Sequence, residues 1–345
     1  MIIEHKDFKI SYFSTEQKEK IEAFLSILRD ASVSIRCKTS GSTGTPKKIE
    51  LSKKALVASA QNSIDFFKLE PQQSAILCMS VDFIAGKMML VRAIVAGLHL
   101  KVFPVRSNLS EFIERADFIA LFPKQLRALL ETPKGMNALK KSRKILVGGA
   151  EISTEIEDAL KSNKICIYQS YGMTETATHV ALKKSGHQTE SCYSAINGVS
   201  FSQKDGCLVI DYPAIQKTPI MTNDLVEIID AFAFKWLGRA DFVINTGGFK
   251  VSPEQLEAKL SKVLRFTYMV TGITDDEFGE RIGLIVKGTK PKEGIHKETF
   301  KKILHPFEIP KSYVCINDFI QTSNGKLDRV KTAKKIKYSA WENIL

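Results

Sequence analysis

The stretch Thr39-Ser40-Gly41-Ser42-Thr43-Gly44-Thr45-Pro46-Lys47-Lys48 decides how the rest of the chain is interpreted. Its glycines let the backbone approach a ligand closely and turn its N–H groups toward it. Its hydroxyls add further donors, and its lysines supply the positive charge that a polyphosphate needs. Pro46 stands where a Walker motif requires glycine, so the stretch is not a P-loop of that type. Taken alone, it favours a phosphate-binding loop, with a flexible linker as the alternative.

The composition is that of an ordinary globular protein. The chain has 345 residues, of which 44% are hydrophobic and 26% charged. One hydrophobic core stops growing below this length, so we expect two domains, residues 1–240 and residues 241–345. No apolar run reaches the length of a membrane span, and Glu4, Lys6 and Asp7 stand where a signal peptide needs an apolar core. A cytoplasmic protein without a membrane span is therefore expected.

Cysteine content and charge narrow the functional classes. The six cysteines are scattered and form no CxxC pair, which argues against a zinc site and against a disulfide framework. The net charge of +12 is spread along the chain, apart from a basic tail at residues 331–337. Such a surplus also attracts polyanionic small molecules, and we expect no nucleic-acid partner. The sequence predicts no particular oligomeric state.

Apolar periodicity predicts an α/β fold. The predicted strands are residues 75–79, 99–105, 118–122, 145–147 and 165–168, and the predicted helices are residues 16–30, 52–67, 87–96, 124–130 and 154–161. Their alternation favours a largely parallel sheet. Past Gly172, short strands at residues 207–211 and 226–229 indicate a small β-rich subdomain. From Val251 onward, a helix at residues 253–264 and strands at residues 269–273 and 282–286 indicate an α+β unit.

A second motif, Tyr171-Gly172-Met173-Thr174-Glu175, follows one of the predicted strands. It combines an aromatic face that can stack on a base, a hydroxyl that can bond a phosphate, and a carboxylate suited to a hard cation such as Mg²⁺. In isolation the pentapeptide is typical of a turn that starts a helix. The chain also contains Gly148-Gly149-Ala150, Thr222-Asn223-Asp224, Gly238-Arg239-Ala240-Asp241, Gly247-Gly248-Phe249-Lys250-Val251-Ser252-Pro253 and Asn324-Gly325-Lys326-Leu327-Asp328-Arg329.

Together and in this order, the motifs resemble those of the adenylate-forming superfamily, which includes acyl-CoA synthetases, peptide-synthetase adenylation domains and luciferases. The resemblance spans residues 39–329. It implies a large N-terminal α/β domain with a layered sheet and a small β-rich subdomain, followed by a small mobile C-terminal α+β domain. It also implies that a carboxylate attacks the α-phosphate of ATP to give an acyl-AMP, from which a thiol such as that of coenzyme A displaces AMP. ATP, Mg²⁺ and coenzyme A are the implied cofactors.

The resemblance assigns roles on the nucleotide side. The residues implied to hold the phosphates are Thr39, Ser40, Gly41, Ser42, Thr43, Gly44 and Lys47, and those implied to line the nucleotide pocket are Gly149, Ala150, Tyr171 and Gly172. Tyr171 is expected on the adenine, Thr174 at the α-phosphate and Glu175 at the metal. Asp224 and Arg239 are expected near the ribose. Asn223 departs from the glycine that is usual there, but asparagine tolerates left-handed backbone angles.

The resemblance also assigns the catalytic and moving parts. Lys326 is the implied catalytic lysine, whose ammonium would bridge the attacking carboxylate and the α-phosphate. Asp241 is the implied hinge. Gly247 and Gly248 are implied to lie beside the pantetheine of coenzyme A in the thioester-forming conformation.

Members of this superfamily usually have a longer N-terminal part, whereas only 38 residues precede the first glycine-rich stretch here. A pocket that is closed by fewer elements is expected to take a small acid. Residues 79–92 lie where o-succinylbenzoate–CoA ligases carry an HxSG element followed by an arginine. Gly86 and Arg92 match this pattern, whereas Phe83 replaces the histidine. An arginine in the pocket would suit a dicarboxylate, since its fork binds a carboxylate bidentately. Residues 176–181 also resemble these ligases and add His179 to the predicted pocket.

Several alternatives stay open at this point. Arg92 is equally consistent with a charge on a helix surface, and His179 with a packed wall residue. The favoured function is an o-succinylbenzoate–CoA ligase of menaquinone biosynthesis. The alternatives are another small-acid CoA ligase, a stand-alone adenylation enzyme that loads a carrier protein, and a non-catalytic nucleotide- or acyl-binding relative.

Overall fold

The computed structural model describes residues 2–38, 48–111, 113–291, 295–322 and 327–344. In the first half of the chain, short strands alternate with helices. The elements are β1 (Lys9–Tyr12), α1 (Lys18–Arg29), β2 (Ser34–Lys38), β3 (Lys48–Ser52), α2 (Lys53–Phe67), β4 (Ser74–Leu77), α3 (Ile84–Ala96), β5 (His99–Val102), β6 (Phe118–Leu121), α4 (Pro123–Leu130), α5 (Pro133–Lys141), β7 (Lys144–Val147), α6 (Thr154–Ser162) and β8 (Cys166–Met173).

Strands dominate the second half of the chain. The elements are β9 (Thr178–Gly186), β10 (Tyr193–Ala195), β11 (Ser200–Lys204), β12 (Cys207–Asp211), β13 (Ile220–Asp230), β14 (Ala233–Arg239), β15 (Ile244–Thr246), β16 (Phe249–Val251), α7 (Pro253–Leu260), β17 (Tyr268–Asp275), β18 (Gly279–Lys287), α8 (Lys297–Lys301), β19 (Ser312–Ile316), α9 (Arg329–Lys334) and β20 (Glu342–Asn343). A short 3₁₀ turn, Ala240–Phe242, connects β14 to β15.

One large sheet places the candidate site. Its strand order is β1-β5-β4-β6-β7-β8-β9-β10-β14-β13-β12-β11. The pairs from β1 to β8 are parallel, whereas β8 and β9 pair antiparallel, as do the later strands. The carboxyl ends of β4, β6, β7 and β8 therefore meet at one edge, just where the strand direction changes. Open α/β sheets bind their ligands at such an edge.

Helix α3 packs on β4, β5 and β9 beside this edge, and α2 packs against α3. Ser52 caps α2 by accepting a hydrogen bond from Ala55 N at 3.0 Å. Helix α3 is buried on almost every face and ends at Gly97, whose φ of +68° stops the helix. Phe67, at the end of α2, packs its ring against Phe118 of β6. The large core thus reaches directly to the floor of the candidate site.

A second sheet follows the 3₁₀ turn. Its order is β16-β15-β18-β19-β20, with β17 on the other side of β18. Its core contains Leu256 of α7, Leu284 of β18 and Phe300 of α8. Helix α7 contacts the first sheet through Ser252, whose Oγ donates to Leu237 O at 2.8 Å.

The observed architecture is the predicted mixture of parallel α/β layers, antiparallel strands and a final α+β unit. The structure extends β8 to Met173, so Tyr171 and Gly172 lie on a strand and not in a turn that starts a helix. It also adds α5, which the periodicity did not predict, and ends α7 at Leu260. In the described part of the chain, no helix is both long and apolar enough to cross a membrane.

Candidate active site

A cavity of about 140 Å³ opens at the carboxyl ends of the parallel strands. It is lined by Met79, Phe83, Ile84, Ala85, Arg92, Ala120, Leu121, Phe122, Leu146, Gly148, Gly149, Ser170, Gly172, Met173, Thr174, Thr178 and His179. Most of these side chains are apolar. The polar exceptions come from α3 and from the hairpin that joins β8 to β9.

That hairpin is held in an unusual shape. A Cβ on Gly172 would lie 1.9 Å from Thr178 O, so only glycine allows this approach of the two strands. Ala177 and Thr178 have φ angles of +50° and +109°; positive values are uncommon for residues other than glycine, and rarest for a β-branched residue such as Thr178. Thr176 Oγ1 stabilises the turn by accepting from Met173 N at 3.0 Å. The turn between these residues carries Thr174 and Glu175.

Arg92 lies in the floor of the cavity and is only 2% exposed. Its Nε donates to Ser63 Oγ at 3.0 Å, and its Nη2 donates to Thr178 Oγ1 at 2.9 Å. Nη2 also lies 3.4 Å from His179 Nδ1. Within the described ranges, no carboxylate forms an ion pair with Arg92. Among the described residues, the side chains bonded to this buried guanidinium are those of a serine, a threonine, a histidine and a methionine.

Burial lowers the pKa of both Arg92 and His179, but only His179 becomes neutral at neutral pH. It lowers the pKa of Arg92 to about 10, which leaves the guanidinium charged at neutral pH. Burial, and then the neighbouring Arg92 charge, lower the pKa of His179 well below its usual value. His179 is therefore neutral at the same pH. The pair carries one positive charge, and a buried charge of this kind is stabilised by an anionic ligand.

The residues predicted to bind the nucleotide are organised around Asp224. Tyr171 Oη donates to Asp224 Oδ2 at 2.6 Å, and Trp236 Nε1 donates to Asp224 Oδ1 at 3.2 Å. Burial and the Asp224 carboxylate raise the pKa of Tyr171 well above its usual value, so its hydroxyl keeps its proton. The Tyr171 ring also packs edge-on against Phe234, with the centroids 5.0 Å apart. Residues from β8, β13 and β14 thus form one rigid wall.

Arg239 connects this wall to the turn between the sheets. Its Nη1 lies 3.8 Å from Asp224 Oδ1, and its Nη2 donates to Asp241 Oδ2 at 2.5 Å. The other oxygen of Asp241 accepts from Asn223 Nδ2 at 2.9 Å. Both oxygens of the predicted hinge carboxylate are therefore bonded to residues of the first sheet.

Parts of two C-terminal motifs lie on or beside the second sheet. Gly247 and Gly248 form the two-residue turn between β15 and β16, with φ angles of +58° and +85°. Both positive angles are those of a type I′ hairpin, which favours glycine. Arg329 Nη1 donates to Glu257 Oε1 at 2.9 Å and to Val270 O at 3.2 Å. This pair ties the end of the last motif to α7.

Sequence comparison identifies the family to which this chain belongs. A family model described as AMP-binding enzyme matches residues 6–205. The chain belongs to this family of AMP-binding enzymes.

Individual relatives of this AMP-binding enzyme agree with that assignment. The probable 2-succinylbenzoate–CoA ligase of Mycobacterium tuberculosis is 28% identical over 91% of this chain and 88% of the relative. The 2-succinylbenzoate–CoA ligase of Listeria innocua is 24% identical over 94% of this chain and 75% of the relative.

Solved structures share the architecture. An acyl-CoA synthetase (AMP-forming)/AMP-acid ligase II-like protein from Dyadobacter fermentans is 30% identical, with a TM-score of 0.59 over 92% of this chain and 93% of that one. The o-succinylbenzoate CoA synthetase of Bacillus subtilis, solved with its acyl-adenylate OSB-AMP, has a TM-score of 0.71 over 88% of this chain and 69% of that one. At 19% identity, this second likeness shows the fold alone.

The structure of this AMP-binding enzyme brings many of the predicted residues to one edge of the sheet. The predicted residues that line the cavity are Phe83, Arg92, Gly149, Gly172, Thr174 and His179. Ala150 is exposed and follows directly after the lining. Gly86 does not line the cavity: a Cβ there would lie 2.3 Å from Ser80 O, so this glycine serves packing between α3 and the preceding loop.

Some predictions lie elsewhere or outside the described residues. Gly247 and Gly248 belong to the second sheet. The predicted phosphate-loop residues Thr39, Ser40, Gly41, Ser42, Thr43, Gly44 and Lys47, and the predicted catalytic Lys326, lie outside the described ranges.

Sequence reasoning missed Ser63 and Thr178, which hold Arg92. A signal for Ser63 was present: it follows Ser59 by four residues on a helix whose other buried residues are mostly apolar. Two hydroxyls at this spacing share one face of a helix. Thr178 lies in the stretch 176–181 that the resemblance pointed to, but its bond to Arg92 depends on the hairpin shape and had no signal of its own.

Glu175 is suited to hold a hard cation. Its carboxylate has no hydrogen-bond or ion-pair partner among the residues that the structure describes, and it stands one residue beyond Thr174. In the described parts of the chain, no cluster of three or more His, Cys, Asp or Glu side chains is arranged to hold a metal ion. Mg²⁺ usually takes one or two protein carboxylates together with substrate phosphates, so a single carboxylate fits this mode of binding.

Proposed function

We propose that this AMP-binding enzyme is an ATP-dependent acid–CoA ligase that converts o-succinylbenzoate to o-succinylbenzoyl-CoA through an acyl-AMP, in menaquinone biosynthesis. The observation that carries the acid assignment is Arg92, a buried charged group in the cavity floor without a carboxylate partner in the described chain. Once one carboxylate of a dicarboxylic acid is activated, the other is free to pair with this guanidinium. The names of the M. tuberculosis and L. innocua relatives support the same substrate.

In the first half-reaction, an oxygen of the acid attacks the α-phosphorus of ATP, and the bond to the pyrophosphate oxygen breaks. Lys326 would stabilise the charge that develops on the α-phosphate. Thr174 would bond an α-phosphate oxygen, and Glu175 would hold Mg²⁺, which supplies charge neutralisation on the phosphates when bound. Tyr171 and Asp224 would hold the adenine and the ribose.

In the second half-reaction, the sulfur of coenzyme A attacks the acyl carbon, and AMP leaves with the electrons of the acyl–oxygen bond. We assign this step to a second arrangement of two domains, residues 1–240 and residues 241–345, that turn relative to each other at Asp241. The hairpin of Gly247 and Gly248 would then lie beside the pantetheine. We assign binding of the ATP phosphates to residues 39–47. We also propose that the enzyme is located in the cytoplasm.

Pyrophosphate release with ATP, Mg²⁺ and coenzyme A tests the proposal across a panel of acids. The panel contains o-succinylbenzoate, 4-oxo-4-phenylbutanoate, which lacks the ring carboxylate, and benzoate, succinate and hexanoate. Coenzyme-A-dependent turnover is expected with o-succinylbenzoate. Preferred turnover of another acid would contradict the substrate, and turnover that requires a carrier protein in place of coenzyme A would contradict the acceptor.

A matched pair of variants tests the role of Arg92. Arg92→Met should lower kcat/KM for o-succinylbenzoate about thirtyfold to several thousandfold, the range for loss of one partner of a buried charge pair. Arg127→Met removes an exposed arginine outside the cavity, paired with Glu155, and should leave this value nearly unchanged. An equal effect of both variants would contradict the assignment.

A further inference from the structure

Ser63 lies at the centre of the hydrogen-bond network beneath the cavity. Its side chain is fully buried on α2, and its Oγ has three polar neighbours. Arg92 Nε lies 3.0 Å away, His179 Nε2 3.1 Å away, and Ser59 O 3.0 Å away. These neighbours come from α3, from β9 and from the preceding turn of α2.

Counting the hydrogens leaves one arrangement. A serine hydroxyl has one hydrogen to donate and two lone pairs that accept. Arg92 Nε–H can only donate to it, and the Ser59 carbonyl can only accept from it. When all three contacts are hydrogen bonds, the single hydroxyl hydrogen points to Ser59 O, and the contact with His179 requires a hydrogen on Nε2. His179 Nδ1 is then the bare nitrogen, and it faces the donor Arg92 Nη2 at 3.4 Å.

The Nδ1–H tautomer of His179 satisfies fewer of these hydrogen bonds. With the hydrogen on Nδ1, two donors would face each other between His179 and Arg92 Nη2. Ser63 would also have to give its hydrogen to His179 Nε2, and the Ser59 carbonyl would keep only the helix bond from Ser63 N. A doubly protonated imidazole meets the same conflict at Nδ1, and it would add a second positive charge beside Arg92 in a buried place.

The network also decides which donors of Arg92 remain for a ligand. Nε is bonded to Ser63, and Nη2 to Thr178 and His179. Nη1 has only the Met89 sulfur, at 3.7 Å, a weak acceptor. Nη1 is therefore the least satisfied donor of Arg92, a residue that lines the cavity.

We propose that Ser63 is a positioning residue for acid selection: it holds His179 as the neutral Nε2–H tautomer and fixes the guanidinium of Arg92 at the cavity, where it can pair with the second carboxylate of the acid. This inference rests on the proposed function for the identity of the acid, whereas the tautomer and the orientation of Arg92 follow from the contacts alone. Ser63 does not itself touch the substrate. Its effect is therefore on discrimination between acids and not on the chemical step.

Kinetics on two acids test this role. Ser63→Ala should lower kcat/KM for o-succinylbenzoate about tenfold to a hundredfold, mainly through KM, because buried donors on Arg92 and His179 lose their acceptor. Its effect on 4-oxo-4-phenylbutanoate should be less than about threefold, so that the preference for the diacid collapses. Ser63→Cys has the same side-chain shape with a somewhat larger atom that accepts hydrogen bonds weakly, so it should show the same collapse. It serves as the test if the alanine variant does not fold.

Ser59→Ala is the matched control, since it removes another fully buried hydroxyl from the same helix, one turn earlier. Ser59 Oγ donates to Ala177 O at 2.7 Å and lies 3.4 Å from Thr178 Oγ1, and it makes no bond to Arg92 or to His179 in the described chain. The control should lose thermal stability to a similar degree while keeping the preference for the diacid. An unchanged preference in both Ser63 variants, or an equal loss of preference in Ser59→Ala, would overturn the proposal.

A spectroscopic measurement tests the network without turnover. In protein labelled with ¹⁵N-histidine, the His179 signals, assigned with His179→Gln, should show a protonated Nε2 and a bare Nδ1, and Ser63→Ala should disturb this pattern. A protonated Nδ1 in the wild type would overturn the proposal.

If the wild type turns over no acid, the proposed function fails. Calorimetric binding of o-succinylbenzoate to wild type and Ser63→Ala then decides on Ser63, and equal affinity would overturn its role.

Discussion

The ion pair of Arg329 and Glu257 should contribute strongly to the stability of the C-terminal part of the chain. Both side chains are largely enclosed, and two parallel contacts join them, one of them from Nη1 to Oε1 at 2.9 Å. Glu257 Oε1 also accepts from Val270 N at 2.7 Å, and Glu254 lies 3.7 Å from Arg329 Nε. Replacing Arg329 with methionine leaves two carboxylates facing each other with no cation between them.

The magnitude follows from the burial of the pair. Removing one partner of a buried ion pair costs about 3–5 kcal/mol, because the remaining charge is neither solvated nor paired. The cost should depend on pH in a defined direction. Burial already raises the pKa of Glu257, against the influence of Arg329. Without Arg329 this pKa rises further. The folded variant then prefers protonated Glu257, which stabilises it below the pKa of this group in the unfolded chain. This stabilisation is lost as the pH rises through the folded-state pKa. The deficit of the variant should therefore be larger at pH 8 than at pH 5, by up to about 1.4 kcal/mol per pH unit across the interval between the two folded-state pKa values.

Tryptophan fluorescence during denaturant unfolding can report on this region. The chain has two tryptophans, and Trp341 packs in a cluster of the second sheet with Met269 and Ile285. In a Trp236→Phe background, Trp341 alone reports unfolding of the full-length chain. Lys287→Met is the matched control, because it removes an exposed cation of the same sheet that pairs with Asp318 at 2.8 Å. The control should leave the midpoint nearly unchanged.

Two outcomes would refute this reasoning. One is a loss of stability in Arg329→Met no larger than that in Lys287→Met. The other is a deficit that shrinks as the pH rises, since that would mean that Glu257 does not bear the unpaired charge. Arg329 stands three residues beyond Lys326, so a confirmed effect would also connect the stability of this part to the position of the predicted catalytic lysine.

Three further predictions concern catalysis and pH. Lys326→Ala should abolish acyl-AMP formation while sparing thioester formation from supplied acyl-AMP, and single-turnover assays in which both steps fall equally would contradict its role. Asn223→Gly removes the 2.9 Å hydrogen bond to Asp241, which is worth about 1 kcal/mol. The ratio of the two half-reaction rates should therefore change severalfold. An unchanged ratio would mean that Arg239 alone sets the position of Asp241. The free energy of unfolding should fall as the pH drops below the ordinary histidine value of 6.5, because the lowered pKa of His179 lets the unfolded chain bind a proton that the folded chain does not. His179→Gln should flatten this fall, and an identical pH profile in the variant would argue against a buried neutral His179.

The sequence by itself determined the family and most of the architecture. The order of its motifs predicted an adenylate-forming enzyme, and the match of residues 6–205 confirms the family. Apolar periodicity located most of the strands and helices, because the side chains of each element repeat on one face of a local structure. The predicted α/β, β-rich and α+β parts follow in the expected order. The domain boundary and the individual site roles remain predictions.

Only the tertiary structure decided the character of the acid side. Helix α3 is buried on almost all faces, so periodicity could not distinguish a surface position of Arg92 from a pocket position. Its partners Ser63, Thr178 and His179 are 29, 86 and 87 residues away in the chain. The tautomer of His179 and the least satisfied donor of Arg92 depend on ångström-scale contacts between α2, α3 and the β8–β9 hairpin. Such contacts form only when these elements pack together, and no local pattern of residues encodes them.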